Sequence, residues 1–303
     1  LLGLMTAWEP PTTTVRPEAG EPVVIALGDI VSGKPVPPRP SARLRVTAQE
    51  AERRALLGWP AAVSEPLGEW VLRASGGFTS RANSVLVVGP PGLPSAVALD
   101  HVVSFYDAHR LPAWAQVVVG SKPQAALESA GWVAARPGGA DTCFQIASVA
   151  QVARVLRGLG RRPDPHRDPG EGGWSVTVAP GASDAWLAPD DRALRDPDTA
   201  RSVLEGPDQV GFVSVTGAQG GLVAKGRVSH ADDWAGITDV WVSPDHRRQG
   251  LALVVMEELL TWSAERGART AYLQTRGDNR AALALYALLG FVTHHEYRYL
   301  AAP

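Results

Sequence analysis

The sequence predicts a mixed α/β chain (α/β, with α+β character) built as two tandem lobes. Three observations predict it. Strand-like and helix-like segments alternate along two long blocks, residues 41–157 and 174–303. The end of the first block has the order strand 84–88, helix, strand 114–119, helix, Gly131-Trp132, strand; the second block repeats it as strand 239–243, helix, strand 271–275, helix, Gly290-Phe291, strand. Gly131 and Gly290 are 159 positions apart and Trp114 and Tyr272 are 158 apart, so the repeat keeps its spacing. Between the blocks, residues 158–173 are mostly Gly, Pro, Arg and Asp. That composition cannot build a core, so the segment reads as a linker.

The chain has 303 residues, 45% of them apolar and 20% charged, enough to bury two cores. Its 29 basic and 31 acidic residues leave a net charge of -2. This argues against nucleic acid or an anionic membrane as a partner held by bulk charge. The basic residues are Arg except for Lys34, Lys122 and Lys225, which reads as coding bias. A single cysteine, Cys143, excludes internal disulfides and a Cys-rich zinc site; it reads as a buried strand residue. No apolar run has the length of a membrane helix. Leu1-Leu2-Gly3-Leu4-Met5 is short and lacks the basic flank of a signal peptide, so a cytoplasmic protein is expected.

The elements follow in order. Residues 1–40 are rich in Pro, Thr and Gly, with strands expected at 23–27 and 29–31 and an extended Pro-rich linker at 35–40. Thr47 caps a helix running to Leu57, with Glu50 completing a capping box. Strands at 70–73 and 84–88 lead to an amphipathic helix over 97–109, a strand at 114–119 and a short helix over 123–129 stopped at Gly131. Strands near Trp132 and at 142–147 end the block. The second block opens with a strand at 174–178 and short Asp/Pro-rich helices to Gly206. Strands follow at 210–216, 222–228 and 237–242. A helix then spans 251–266 and stops at Gly267, with Leu251, Val255, Leu259 and Trp262 on its buried face. A strand at 271–275 and a helix over 279–289 precede two short strands, 291–293 and 296–300.

Two segments carry chemistry. Strand 237–242 runs through Ser243-Pro244-Asp245-His246 into Arg247-Arg248-Gln249-Gly250-Leu251-Ala252 and a long helix. A strand–turn–helix junction leaves backbone N–H groups unpaired. Gly250 and Ala252 let an anion approach them, and the helix dipole and two arginines add positive charge. Taken alone the hexapeptide also fits a surface turn with solvated arginines. In the second segment, Asn279 to Phe291, Ala282, Leu285 and Leu289 make a buried stripe. Asn279 and Tyr286 are two turns apart, which puts an amide and a phenol on one polar face; taken alone, Tyr286 fits better as a core aromatic with its hydroxyl at the rim.

In this order and spacing, the two segments resemble the GNAT superfamily of N-acetyltransferases. Arg247-x-x-Gly250-x-Ala252 is similar to the superfamily's acyl-CoA pyrophosphate loop, and Asn279-x-x-Ala282-x-x-Leu285-Tyr286-x-x-Leu289-Gly290-Phe291 to its second signature; the likeness covers about residues 235–300. It implies a strongly twisted mixed sheet in each lobe and acetyl-CoA as co-substrate, bound in the C-terminal lobe. Val240, Trp241 and Val242 would meet the pantetheine arm and the acyl carbonyl between splayed strands. Amides from Arg248 through Gln249, Gly250, Leu251 and Ala252 to Leu253 would hold the pyrophosphate beside Arg247. Asn279 would contact the cofactor arm, and Tyr286 would be the general acid at the sulfur. The base candidate is Asp239, with Glu205 and Asp233 as alternatives. The acceptor is the amine of a small molecule or protein; an O-acyl or longer-chain transferase and an acyl-CoA sensor are the competing readings.

The first block lacks these features. Its counterpart of the phosphate loop, Gly89-Pro90-Pro91-Gly92-Leu93-Pro94-Ser95, has no Arg and three residues without an N–H, and Ala126 and Leu127 stand where a phenol is needed. It is expected to be a degenerate lobe, with residues 1–40 the remnant of a small barrel. His230-x-Asp232-Asp233 and His294-His295-Glu296 match no metal spacing and read as solvated polar loops. Arg81 and Asn83 are candidates to face an acceptor cleft. Asp190, Asp191, Asp196 and Asp198 favour a cationic acceptor.

Overall fold

The computed structural model describes residues 1, 3–17, 20–32, 42–136, 138–159 and 173–303. The expected linker at 35–40, and that at 158–173 apart from its ends, lie outside the described residues. The chain divides into two compact units, Leu1–Ser41 and Ala42–Pro303.

The first unit is a three-stranded antiparallel sheet: β1 (Gly3–Glu9), β2 (Thr12–Pro17) and β3 (Val23–Ala26). Only β3 was legible, because β1 and β2 lack a clean apolar alternation. The strand expected at 29–31 is absent. Leu27–Asp29 forms a 3-10 turn instead, and the Ile30 amide donates back to the Leu27 carbonyl.

The second unit opens with α1 (Ala48–Gly58), where Thr47 accepts from the Glu50 amide at 3.2 Å as its capping residue. Hairpin β4 (Val63–Leu67) and β5 (Trp70–Ala74) follows, then β6 (Val85–Leu86), α2 (Ser95–Ala108), β7 (Trp114–Val118), α3 (Lys122–Ser129), β8 (Val133–Ala134), β9 (Thr142–Ser148) and α4 (Val149–Gly158). Helix α4 has no counterpart among the expected elements; Ser148 caps it, and Val149, Val152 and Leu156 form its buried stripe. Beyond it come β10 (Ser175–Ala179), α5 (Asp184–Leu187), α6 (Asp191–Arg195), α7 (Pro197–Leu204), β11 (Val210–Thr216), β12 (Leu222–Ala231), β13 (Trp234–Val242), α8 (Leu251–Glu265), β14 (Thr270–Arg276), α9 (Arg280–Leu288) and β15 (Val292–Ala301). The last is one strand rather than two, with a register shift between Thr293 and His295.

These strands make a single mixed sheet in the order β10-β11-β12-β13-β14-β9-β15-β7-β6-β5-β4, with β8 on β15. The expected repeat is visible in the pairing. Strands β13 and β14 run parallel after an antiparallel β12, and β6 and β7 run parallel after an antiparallel β5. The junction is a strand exchange. β9, from the first half, pairs with β14 of the second, while β15, from the second half, pairs with β7 of the first. Five consecutive residues of β9, Cys143 to Ala147, are buried, as a strand covered on both faces requires.

Helix α8 packs on the second half through Leu251, Val254, Val255, Met256, Leu259 and Leu260. Its approach is close at β12: a Cβ at Gly226 would lie 2.5 Å from Val255 Cγ1. A polar chain runs through the first half. Arg73 donates to Gln116, Gln116 to Glu52, and Glu52 meets His295 Nε2 at 3.0 Å. His295 in turn meets His294, whose other ring nitrogen reaches the Val46 carbonyl at 2.7 Å. The solvated loop expected at 294–296 is therefore a stretch of β15 whose histidines are held in a network.

Candidate active site

Strand β13 is bulged where it matters. Lys225 pairs with Trp241 and Arg227 with Thr238, so Asp239 and Val240 together oppose Gly226. Asp239 sits at φ +54°, a conformation that strains a non-glycine residue. Parallel pairing with β14 stops at Ile237–Leu273, yet β13 continues to Val242 and β14 to Arg276. The two strands thus part, leaving unpaired edges facing a gap that begins at the bulge. Val240, Trp241 and Val242 are half-buried along it.

Beyond Val242 the chain turns through Pro244–His246 into the start of α8. Arg247, Arg248 and Gln249 are exposed, and Arg247 Nε donates back to the Val242 carbonyl at 3.4 Å. Gly250 caps the helix at φ +83°, a left-handed conformation that glycine adopts without strain. Both Leu253 and Val254 donate to the Gly250 carbonyl, at 2.9 and 3.3 Å. The Leu253 amide, expected in the anion cradle, is therefore already committed. Gly250, Leu251 and Ala252 precede the first closed turn, with N–H groups of the kind a helix leaves without intrahelical partners.

Helix α9 corrects a second expectation. Asn279 is not part of it. Asn279 is its N-cap, and Oδ1 accepts from the Ala282 amide at 3.2 Å. Tyr286 is not on a polar face with Asn279 either; it shares the buried stripe of Ala282, Leu285 and Leu289 and packs against Phe291 with ring centroids 5.8 Å apart. Burial, with the Asp239 carboxylate adding to it, pushes the Tyr286 phenol up to about 12. The phenol therefore keeps its proton at neutral pH.

On the mouth of the same gap lies a cavity of about 250 Å³. Thr238 and Asp239 come from β13, Gln274 and Arg276 from β14, and Tyr297 and Tyr299 from β15. The first half contributes Trp59, Thr79, Ser80, Arg81, Arg136 and Thr142. Asp239 Oδ2 is shut off from solvent and has no hydrogen-bond partner among the described residues. Burial opposes the charge on Arg81, but the Tyr297 and Tyr299 phenols hold its pKa above the ordinary value. Its guanidinium stacks 5.2 Å from the Trp59 ring centroid. Asn83, the other cleft candidate, is buried. Its Oδ1 accepts from the Ser75 and Gly77 amides and its Nδ2 donates to Phe78 and Thr79, so it builds the turn that carries Arg81. Among the described residues no group of three His, Cys, Asp or Glu could hold a metal ion.

Residues 144–300, a little over half of the chain, match the family model described as "Probable histone acetyltransferase Rv0428c C-terminal". The chain belongs to this acetyltransferase family, within the GNAT superfamily. Two full-length relatives agree. The "Uncharacterized N-acetyltransferase YobR" of Bacillus subtilis (strain 168) is 26% identical over 253 residues, 82% of this chain and 97% of that protein. The "Probable histone acetyltransferase Rv0428c" of Mycobacterium tuberculosis is 27% identical over 297 residues, 96% of this chain and 85% of that one. Among solved structures, a tandem GNAT protein from the clavulanic acid biosynthesis pathway superposes with a TM-score of 0.56. Its identity is 16%, over 72% of this chain and 74% of that one. At that identity the likeness shows the fold, a tandem GNAT fold.

Several wall residues of this GNAT cavity carry no local signature in the sequence: Trp59, Arg136, Gln274, Tyr297 and Tyr299. They meet only because β9 and β15 cross between the halves. One signal was available. Lys225 and Arg227 alternate within an apolar strand, which marks a charged face that must find partners. Arg227 is fully buried beneath Trp59 and donates to the carbonyls of Leu204 and Gly58, the ends of α7 and α1, at 2.7 and 3.0 Å. A cation suits the negative end of a helix; this one anchors the cavity floor.

Proposed function

We propose that the protein is an acetyl-CoA-dependent N-acetyltransferase in which a primary amine in the cavity attacks the thioester directly, within a ternary complex. The carrying observation is the juxtaposition at Asp239. There the strands part on the side of the open α8 amides, and the cavity opens on the other. The amides of Gly250, Leu251 and Ala252, with Arg247 and Arg248 nearby, suit a diphosphate. Acetyl-CoA supplies the activated acyl group. In this reading Asp239 takes the proton that the attacking nitrogen sheds. The Val240 amide, in the bulge of β13, donates to the acyl oxygen as it gains charge. Tyr286 gives its proton to the departing thiolate. One donor to an oxyanion is worth about 10²- to 10³-fold in rate, and a positioned acid or base about 10²- to 10⁴-fold.

The same reading makes residues 41–157 a lobe without its own acyl-CoA site, joined through 158–173 to the working lobe 174–303. Its counterpart loop supports this. Trp70 Nε1 donates to the Gly89 carbonyl and the Glu69 amide to the Pro90 carbonyl. The prolines offer no N–H, and a Cβ at Gly68 would lie 2.2 Å from the Pro91 backbone, so the loop is packed against the β4–β5 turn. Calorimetry with coenzyme A and acetyl-CoA tests the cradle; thiol release with acetyl-CoA over a range of amines tests transfer. Binding without thiol release would leave an acyl-CoA-binding module instead.

A further inference from the structure

The charges around the cavity do not match the cationic acceptor that the aspartates of residues 190–198 suggest in sequence. Asp190 is taken by Arg192, whose Nε and Nη2 donate to it at 2.9 and 2.7 Å. Asp196 caps α7 through the Thr199 amide. Arg276, on the wall, is paired with Asp278. That leaves Arg81 and Arg136. Among the described residues neither forms an ion pair with a carboxylate. Arg81 lies over Trp59, and its Nε is buried without a partner. Arg136 stacks on Trp114 and Tyr299 at 5.6 and 5.8 Å from their ring centroids and donates to the neutral Ser80 hydroxyl. Across the cavity stands one carboxylate with an unpartnered oxygen, Asp239.

We infer that the acceptor is a small amine that also carries an acidic group, a carboxylate or a phosphate, clamped by Arg81 and Arg136 while its amino group meets Asp239. This rests on the acetyl-transfer reading and narrows its substrate. A guanidinium fork matches either oxyanion, and aromatic stacking orients it before the ligand arrives. Arg81 is half-buried, which strengthens its attraction relative to water, while Arg136 is exposed at the rim. A cavity of about 250 Å³ suits a molecule of amino-acid size. The clamp also gives the silent half a role in substrate binding, since both arginines belong to that half and the carboxylate to the other.

The test pairs each acid with its neutral counterpart: glycine, β-alanine and 4-aminobutyrate against their amides, L-glutamate against L-glutamine, and O-phosphoethanolamine against ethanolamine. The full chain is assayed with acetyl-CoA by thiol release, and acid binding to the coenzyme A complex is followed by calorimetry. At least one acid should exceed its counterpart in kcat/KM about tenfold or more; which acid leads separates carboxylate from phosphate. Arg81→Gln should lower kcat/KM for that acid about tenfold through KM, and Arg81→Lys should recover part of it. Equal use of acids and neutral partners, or no binding by any acid, overturns the inference. The transfer reading is judged separately, by coenzyme A binding and by thiol release with the neutral amines.

Discussion

Tyr286 is the proton donor of the proposed reaction and sits in an environment a core residue prefers, and the two roles separate by measurement. Tyr286→Phe keeps the ring against Phe291 and removes only the hydroxyl. We expect kcat to fall about 10²-fold or more while the affinity for coenzyme A changes little; equal losses in both would assign the phenol to packing. The wild-type phenol also gives a pH signature. Its folded-state pKa, about 12, lies above the ordinary value of 10.0. The stability it supports is therefore complete below that ordinary value and is lost as pH rises through the folded one. Tyr286→Phe should flatten that alkaline fall in melting temperature. His294 works at the other end of the scale. Burial lowers its pKa below 6.5, with the Val46 carbonyl opposing. Its stability is present above the ordinary value and is lost as pH falls through the lowered one, and His294→Gln should remove that acid-side slope.

At the scale of the element, the start of α8 combines a glycine in left-handed backbone with amides ahead of the first closed turn. Gly250→Val puts a β-branched residue at φ +83° and screens those amides. The backbone strain costs about 1–2 kcal/mol or more. The calorimetric signal of coenzyme A should disappear while the variant remains folded by circular dichroism. Retained affinity would remove the anion cradle from the site. Elements of this kind were readable in advance because their chemistry is local. The Thr47 cap, the α8 stripe and the glycine stops at 131, 267 and 290 all lie within a turn or two of what they control. The same local reasoning failed at Asn279. Its seven-residue spacing from Tyr286 is compatible with one helix face, but Asn favours the cap, where its side chain satisfies an otherwise orphan amide. It was silent at α4, where valine spacing is ambiguous between strand and helix.

The whole second unit is joined by β9 and β15, each seated beside the other half's parallel pair. Separation of the halves would leave both sheets with an unpaired edge, so unfolding should be one cooperative event. Tryptophans lie in both halves, from Trp59 to Trp132 and from Trp174 to Trp262. Fluorescence and far-ultraviolet circular dichroism should therefore report coincident denaturant transitions for residues 42–303. Two separated transitions would show independently folding lobes. Glu52→Ala should destabilise this unit by about 1–3 kcal/mol for each of the two groups, His295 and Gln116, that lose a buried hydrogen-bond partner.

The alternation of elements, the doubled order of the blocks, the loop ahead of α8 and its likeness to acetyltransferases are all properties of near neighbours in the chain, and they could be read there. The exchange of β9 with β15, the cavity between the halves and the pairing that spares Arg81 and Arg136 could not. Phe144 and His295, or Arg81 and Tyr297, meet across long loops of chain. Nothing in hydrophobic period or turn chemistry records such a meeting, because it is set by which sheet edge each strand satisfies once the whole molecule has closed.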